Sequence, residues 1–302
     1  MTAGDGITQA QTLTAVAIDV GGTTVRAGLV DSLAQLLGPP IEIPSPTAQP
    51  YGDVLQAFED IVSRVTAGRT DPHVAPARAG IAIPGPFDYA NGTSQMRHKF
   101  ASLDGRPFGN DLSERLALPV RFVNDADAFA LGSWASEFGS VARFLGVTLG
   151  TGVGSGFVVD GSLVGAEENA PADDEIWYTP YRGGIFEDWI SKRGIETRYQ
   201  ANGGQRELGV RAIADRARAG EPVAVDTLYG LGVALGDGLA LAAGPFRPDA
   251  IVFGGKIALA YDVFGKPIAK AFATRAGYEP QFAQSRATEP ALRGAGRAAF
   301  AS

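Results

Sequence analysis

The chain has 302 residues, 45% of them hydrophobic, with 33 acidic against 26 basic side chains and a formal net charge of −7. That length can bury a large core in one large domain or two medium ones, and the acidic balance excludes a general nucleic-acid binder, whose phosphate contacts need clustered Lys and Arg. With no cysteine and only His73 and His98, disulfides, thiolate catalysis and multi-histidine metal centres are excluded as well. The opening MTAGDGITQAQTL (residues 1–13) lacks the basic start and apolar centre of a secretion signal and reads as a disordered tail. No uninterrupted apolar run of about eighteen residues suggests a membrane span, so a cytoplasmic protein is expected.

Ala15 to Asp19 predicts a strand, Gly21-Gly22-Thr23-Thr24 a tight turn and Val25 to Val30 a returning strand. Adjacent glycines leave backbone N–H groups open to a phosphate, and the threonine hydroxyls add donors. Asp19, at the strand end, can hold the water shell of a phosphate-bound Mg²⁺. Alone, the segment reads as an ordinary hairpin, and only a second such turn downstream decides for a phosphate site. Ile41 to Ile43 predicts a short strand, and Val54, Phe58, Ile61, Val62 and Val65 recur at helical spacing up to a stop at Gly68. A strand from Ala79 to Ile83 ends in Pro84-Gly85-Pro86. A short helix near Leu112 to Leu116 precedes the strand Val120 to Val123, which ends in Asn124-Asp125 ahead of a helix through Phe129, Leu131, Trp134 and Phe138.

From Phe144 the opening pattern returns: FLGVTL is a strand, GTGVGSG a glycine turn and FVVDGSLV a returning strand. The glycine spacing fails the dinucleotide fingerprint, and a strand follows where that motif needs a helix. Two such units suggest a duplicated α/β domain with a nucleotide between the halves. Helices are predicted over Phe186 to Tyr199, Val210 to Ala219, Val223 to Ala243 and Pro290 to Phe300, with a buried strand from Ala250 to Phe253 that ends in Gly254-Gly255-Lys256. A hydroxyl attacking a phosphorus must lose its proton, and Asp125, at a strand end beside Asn124, is placed for that work. Its alternative is a simple helix cap.

The order DVGGTTVR, IAIPGPFD, VNDADAFALGSW, VTLGTGVGSGFVVDG and DAIVFGGKI resembles the ROK family of repressors, open reading frames and sugar kinases. That family is a branch of the superfamily of hexokinase, actin and the heat-shock ATPases. The resemblance implies a two-domain, actin-like (ribonuclease H-like, duplicated) α/β fold with a central cleft. Its smaller domain would take residues 14–123 with the helix 290–300, and its larger one residues 124–289. It implies ATP with Mg²⁺ on Asp19, Gly21, Gly22, Thr23 and Thr24, with Gly150, Thr151, Gly152 and Gly154 on the remaining phosphates, and with Gly254 and Gly255 against the adenosine. A sugar would meet Asp125 as general base, with Asn124, Gly85 and Pro86 nearby, and its primary hydroxyl, at C6, would be phosphorylated.

The chain departs from the family pattern where most members carry a Gly-Glu-Ile-Gly-His segment and a cysteine-rich zinc loop. Here the text is Asp174-Glu175-Ile176-Trp177-Tyr178, then GGIFEDWISKRGI. Glu175 and Glu187 match the two sugar-binding glutamates, Tyr178 replaces the histidine, and no zinc site is expected. The acidic run Glu167, Glu168, Asp173, Asp174, Glu175 reads as a solvated loop or as a field favouring a protonated amino-sugar. The competing functions are a kinase for another polyol or N-acylated sugar, one using polyphosphate as donor, or a sugar-sensing regulator. The family's regulators carry a DNA-binding domain of several dozen residues ahead of this pattern, so no nucleic-acid partner is expected; a homodimer is.

Overall fold

Strand β1 (Thr14–Val20) is apolar on both faces because it lies in the middle of a sheet, and six of its seven residues are buried. In this computed structural model, which describes residues 13–67, 75–97, 99–171 and 175–301, the chain divides into two compact units. One comprises residues 1–124 with 295–302, the other residues 125–294.

In the first unit β2 (Thr24–Asp31) returns antiparallel to β1, with Val20 opposite Val25. β3 (Ile41–Pro44) continues that edge, and helix α1 (Tyr51–Thr66) buries Val54, Leu55, Phe58, Ile61, Val62 and Val65. β4 (Pro76–Ala82) lies parallel to β1 on its other side. A small hairpin of β5 (Phe87–Asp88) and β6 (Thr93–Ser94) leads to α2 (Phe108–Leu116) and to β7 (Val120–Val123), parallel to β4. The strand order is β3-β2-β1-β4-β7.

The second unit opens with α3 (Asp125–Glu137), then β8 (Arg143–Leu149), β9 (Val153–Val159) and β10 (Ser162–Leu163). A two-stranded hairpin, β11 (Pro180–Tyr181) and β12 (Gly184–Ile185), precedes α4 (Glu187–Ile190), α5 (Lys192–Ala201), α6 (Val210–Arg218) and α7 (Pro222–Ala243). β13 (Ala250–Gly254) and β14 (Gln281–Gln284) flank α8 (Gly255–Ala258), α9 (Tyr261–Phe264) and α10 (Ile268–Ala276), and α11 (Pro290–Ala298) follows, its residues from Ala295 onward belonging to the first unit. The sheet order β10-β9-β8-β13-β14 repeats that of the first unit, with the same antiparallel hairpin and parallel outer strands. The duplication expected from the two glycine turns is therefore real.

Three expectations change. FVVDGSLV is not one returning strand: it doubles back at Asp160-Gly161, so that β10 pairs antiparallel with the end of β9. The single helix expected over Phe186 to Tyr199 is broken at Ser191, which is extended (ψ 166°) and whose hydroxyl accepts from Gly194 N–H to cap α5. The second glycine turn is shorter than GTGVGSG, because β9 begins at Val153 and takes Gly154 and Gly156 into the strand. α7 is long and apolar enough to cross a membrane, but 61% of its most apolar window is buried, and Leu228, Leu231, Leu235 and Leu239 belong to the core of the second unit. The expected helix stop at Gly68, along with His73, His98, Asp173, Asp174 and all of the expected tail but Leu13, lies outside the described residues.

Candidate active site

In the first unit the turn between β1 and β2 is closed by Gly21 N–H donating to Thr24 C=O at 2.9 Å, and Thr23 C=O accepts from Ser45 N–H at 2.9 Å. Gly22 and Thr23 are exposed, and a Cβ built on Gly22 would meet nothing within 4 Å. The turn therefore presents bare backbone, the condition for close approach of an anion. Asp19 stands half-buried near the end of β1, and Thr24 is the first residue of β2.

The same unit carries Gly85-Pro86, joined by a cis peptide bond. Tyr89 organises this corner: its hydroxyl donates to Ile83 C=O (3.2 Å) and accepts from Asn124 Nδ2 (2.9 Å). Gly85 packs against that hydroxyl, 3.4 Å from where its Cβ would stand. Asn124 is thus held in one orientation by a residue that no motif flagged; its nearness to Pro84-Gly85-Pro86 was the only signal.

In the second unit Gly150 N–H donates to Gly152 C=O at 3.0 Å, and Thr151 and Gly152 are exposed. Gly154, expected among the phosphate glycines, makes room for packing: a Cβ there would lie 2.6 Å from Ala126 Cβ. Gly156 does the same for Ala130 and Asp127. These two glycines let α3 lie directly on β9. Asp125, the first residue of that helix, is exposed, and its Oδ1 accepts from Ala126 N–H at 3.0 Å.

Gly254 and Gly255 line a cavity of about 150 Å³ with Leu259, Gln284, Ser285 and Pro290. Gly255 has φ +82°, and a Cβ on it would stand 2.4 Å from Leu149 C=O. Backbone approach at that point thus joins the cavity to the residue before Gly150. Gln284 and Ser285 escaped the sequence reading because β14 is only four residues long.

The segment after β10 returns to the sheet through Ile176, whose N–H donates to the buried Ser155 Oγ on β9 at 3.2 Å. Glu175 accepts a hydrogen bond from the Trp177 indole N–H, and Tyr178 stands 37% exposed with its ring edge-on to Trp177. Glu187 Oε2 accepts from Val153 N–H at 2.9 Å. The two glutamates expected on a sugar therefore each have an internal partner. The acidic run is likewise engaged among its described members: Glu168 pairs with Arg143 at 2.9 Å, and Glu167 accepts from Gly165 N–H.

A family model, the ROK family, matches residues 15–296. The chain belongs to the ROK family. An N-acetyl-D-glucosamine kinase of Yersinia pestis is 30% identical over 252 residues, covering 76% of this chain and 95% of its own. The solved ROK hexokinase of Thermus thermophilus superposes with a TM-score of 0.81 at 25% identity, covering 95% of this chain and 98% of its own. A ROK glucokinase of Streptomyces griseus, solved with glucose and AMPPNP, has a TM-score of 0.67 at 24% identity, covering 95% and 99%.

Where the resemblance implies a zinc loop in other ROK proteins, this one has the β11–β12 hairpin. Its turn residues Arg182 and Gly183 both take left-handed backbone (φ 47° and 83°), as a two-residue hairpin turn demands. A cluster of rings and charges braces it. Tyr181 OH donates to Asp237 Oδ2 on α7 at 3.0 Å, and Arg275 Nε donates to Asp237 Oδ1 at 2.5 Å. Arg182 lies over the rings of Tyr181 and Trp189, and Arg198 also lies over Trp189. Burial, with the bond to Asp237, pushes Tyr181 up to about 12. Burial opposes ionisation of Asp237, yet the bonds from Arg275 and Tyr181 and the nearby guanidinium charges hold its carboxyl below the usual range. Among the described residues no three His, Cys, Asp or Glu side chains cluster as a metal site.

Proposed function

We propose that this ROK protein transfers the γ-phosphoryl group of ATP to the primary hydroxyl, at C6, of a hexose or its N-acetylated amino derivative. The observation that carries this reading is the exposed Asp125 carboxylate on the helix that rests on the second glycine hairpin. Asp125 takes the hydroxyl proton as the new O–P bond forms and the bond to the ADP leaving group breaks. Asn124, fixed by Tyr89, orients a sugar hydroxyl. Glu175, Tyr178 and Glu187 belong on the sugar by resemblance, with Gly85 and Pro86 shaping its surroundings.

The N–H groups and hydroxyls of Gly21, Gly22, Thr23 and Thr24 take one set of phosphate oxygens, and Gly150, Thr151 and Gly152 take another. The cavity beside Gly254 and Gly255 suits the adenosine. Asp19, an oxygen donor near the open turn, fits a hydrated Mg²⁺, which when bound neutralises charge developing on the phosphates. The printed activity of the Yersinia pestis relative and the glucose and AMPPNP in the Streptomyces griseus crystal support this choice of substrates. The printed activity of the Yersinia pestis relative favours a hexose or acetamido sugar, and Glu168, paired with Arg143, adds no net field for a protonated amine.

A coupled ADP-release assay over glucose, mannose, glucosamine, N-acetylglucosamine and N-acetylmannosamine tests it, and direct detection of sugar phosphate with polyphosphate in place of ATP tests the alternative donor. Turnover with ATP and a neutral or acetylated hexose is expected. Release of ADP with none of these sugars sinks the proposal.

A further inference from the structure

We propose that Glu187 is a positioning residue of the second glycine turn, acting on the donor side as well as lying toward the sugar. The inference deepens the kinase reading and rests on it for the identity of the nucleotide. Its basis is that one short segment pins both ends of the turn. Glu187 Oε2 accepts from Val153 N–H at 2.9 Å, where β9 leaves the turn, and Lys192 N–H donates to Gly150 C=O at 2.9 Å, where β8 enters it. Between them, Glu187 Oε2 lies 3.2 Å from where a Cβ on Gly152 would stand.

The segment itself cannot drift. Phe186, fully buried, lies so close to α7 that a Cβ on Gly238 would come within 2.1 Å of its ring. Glu187 N–H donates to Trp177 C=O at 2.9 Å. Trp189, two residues on, is covered by Arg182 and Arg198, and Tyr181 on the hairpin is tied to Asp237. Hairpin, α4 and turn thus form one hydrogen-bonded body within the second unit. Val153 is buried, so an N–H deprived of its acceptor there carries a full desolvation penalty, and the turn must rearrange to relieve it.

A residue that only touched sugar would leave sugar-free nucleotide binding unmoved. The test is therefore calorimetric titration of the sugar-free protein with a non-hydrolysable ATP analogue and Mg²⁺. Glu187→Ala is expected to weaken that affinity by about tenfold or more, whereas Glu187→Gln, which keeps a carbonyl oxygen for Val153, stays within about threefold. The sign is diagnostic, because removing a negative charge near phosphates would by itself tighten binding. Equal or tighter binding by Glu187→Ala overturns the proposal. If that variant does not fold, Glu187→Asp, one methylene too short for Val153, takes its place with the same expected and overturning results. Failure of the unaltered protein to bind nucleotide overturns the kinase reading instead. The positioning role is then decided by hydrogen exchange at the Val153 amide, which it requires to be protected in the unaltered protein and in Glu187→Gln and unprotected in Glu187→Ala.

Discussion

The two glycine turns come from the same local recipe, an apolar strand, a glycine-rich break and a returning strand, but the molecule treats them differently. The first is tied by backbone bonds, Gly21 to Thr24 and Ser45 to Thr23, and Gly22 faces open space. The second has backbone ties too, Gly150 to Gly152 and Lys192 to Gly150, but side chains are added to them: Glu187 holds Val153, and α3 is seated on Gly154 and Gly156. A backbone-tied turn can serve a ligand that needs only N–H donors. A turn carried on a packed helix can also bring a side chain with it, here the Asp125 carboxylate proposed as the base, one residue before the Ala126 that rests on Gly154.

The largest expected effect lies on that helix. Asp125→Asn keeps the shape of α3 and removes the proton acceptor, so kcat should fall by about 10² or more with the melting temperature and sugar KM little changed. Near-normal turnover would reduce the second hairpin to a phosphate turn like the first, and the contrast between them would lose its catalytic meaning.

The glycine pair comes next, since the same substitution should act oppositely on the two turns. Gly22→Ala adds a methyl where nothing lies within 4 Å, so stability should stay within about 0.5 kcal/mol while the donor KM rises. Gly154→Ala drives a methyl to 2.6 Å from Ala126 Cβ and should cost about 1–3 kcal/mol in a denaturant melt, with activity falling as α3 is displaced. Equal stability losses at both positions would mean that the turns are built alike.

Much of this was legible in the sequence for a physical reason. β1, β8 and β13 are interior strands whose apolar runs end in glycine, and the short parallel edge strand β7 ends in Asn124-Asp125, so pattern and punctuation agree. The four-residue helices α8 and α9 are shorter than the window in which a helical period can be counted, and the four-residue β14 is too short to show alternation, although Gly265, Pro267, Gly277 and Pro280 punctuate the segment around α10. The packing role of Gly154 was not legible because alternating glycines look the same whether they bare a turn for phosphate or clear a strand face for a helix. The partners of Glu175 and Glu187 are contacts at Trp177 and Val153, and the Asp237 brace joins residues from β11, α7 and α10. Nothing in one-dimensional spacing announces them.

The smallest effect separates the turns by pH. The Asp237 carboxyl is held below its usual range in the folded protein, so its contribution is present above the unfolded value of about 3.9 and is lost as pH falls through the lower folded value. Asp237→Asn should therefore be less stable than the unaltered protein at neutral pH, and the gap should close only in strong acid, below that ordinary carboxylate value. Because Asp237 anchors the hairpin that leads into Glu187, the substitution should also speed hydrogen exchange at the Val153 amide at neutral pH. The Gly21 amide, bonded to Thr24 C=O in the first turn, should exchange as before. A stability gap independent of pH would show that Asp237 acts by packing rather than by charge. Faster exchange at Gly21 together with Val153 would show general loosening, and the claim that the two turns are held by separate means would fail.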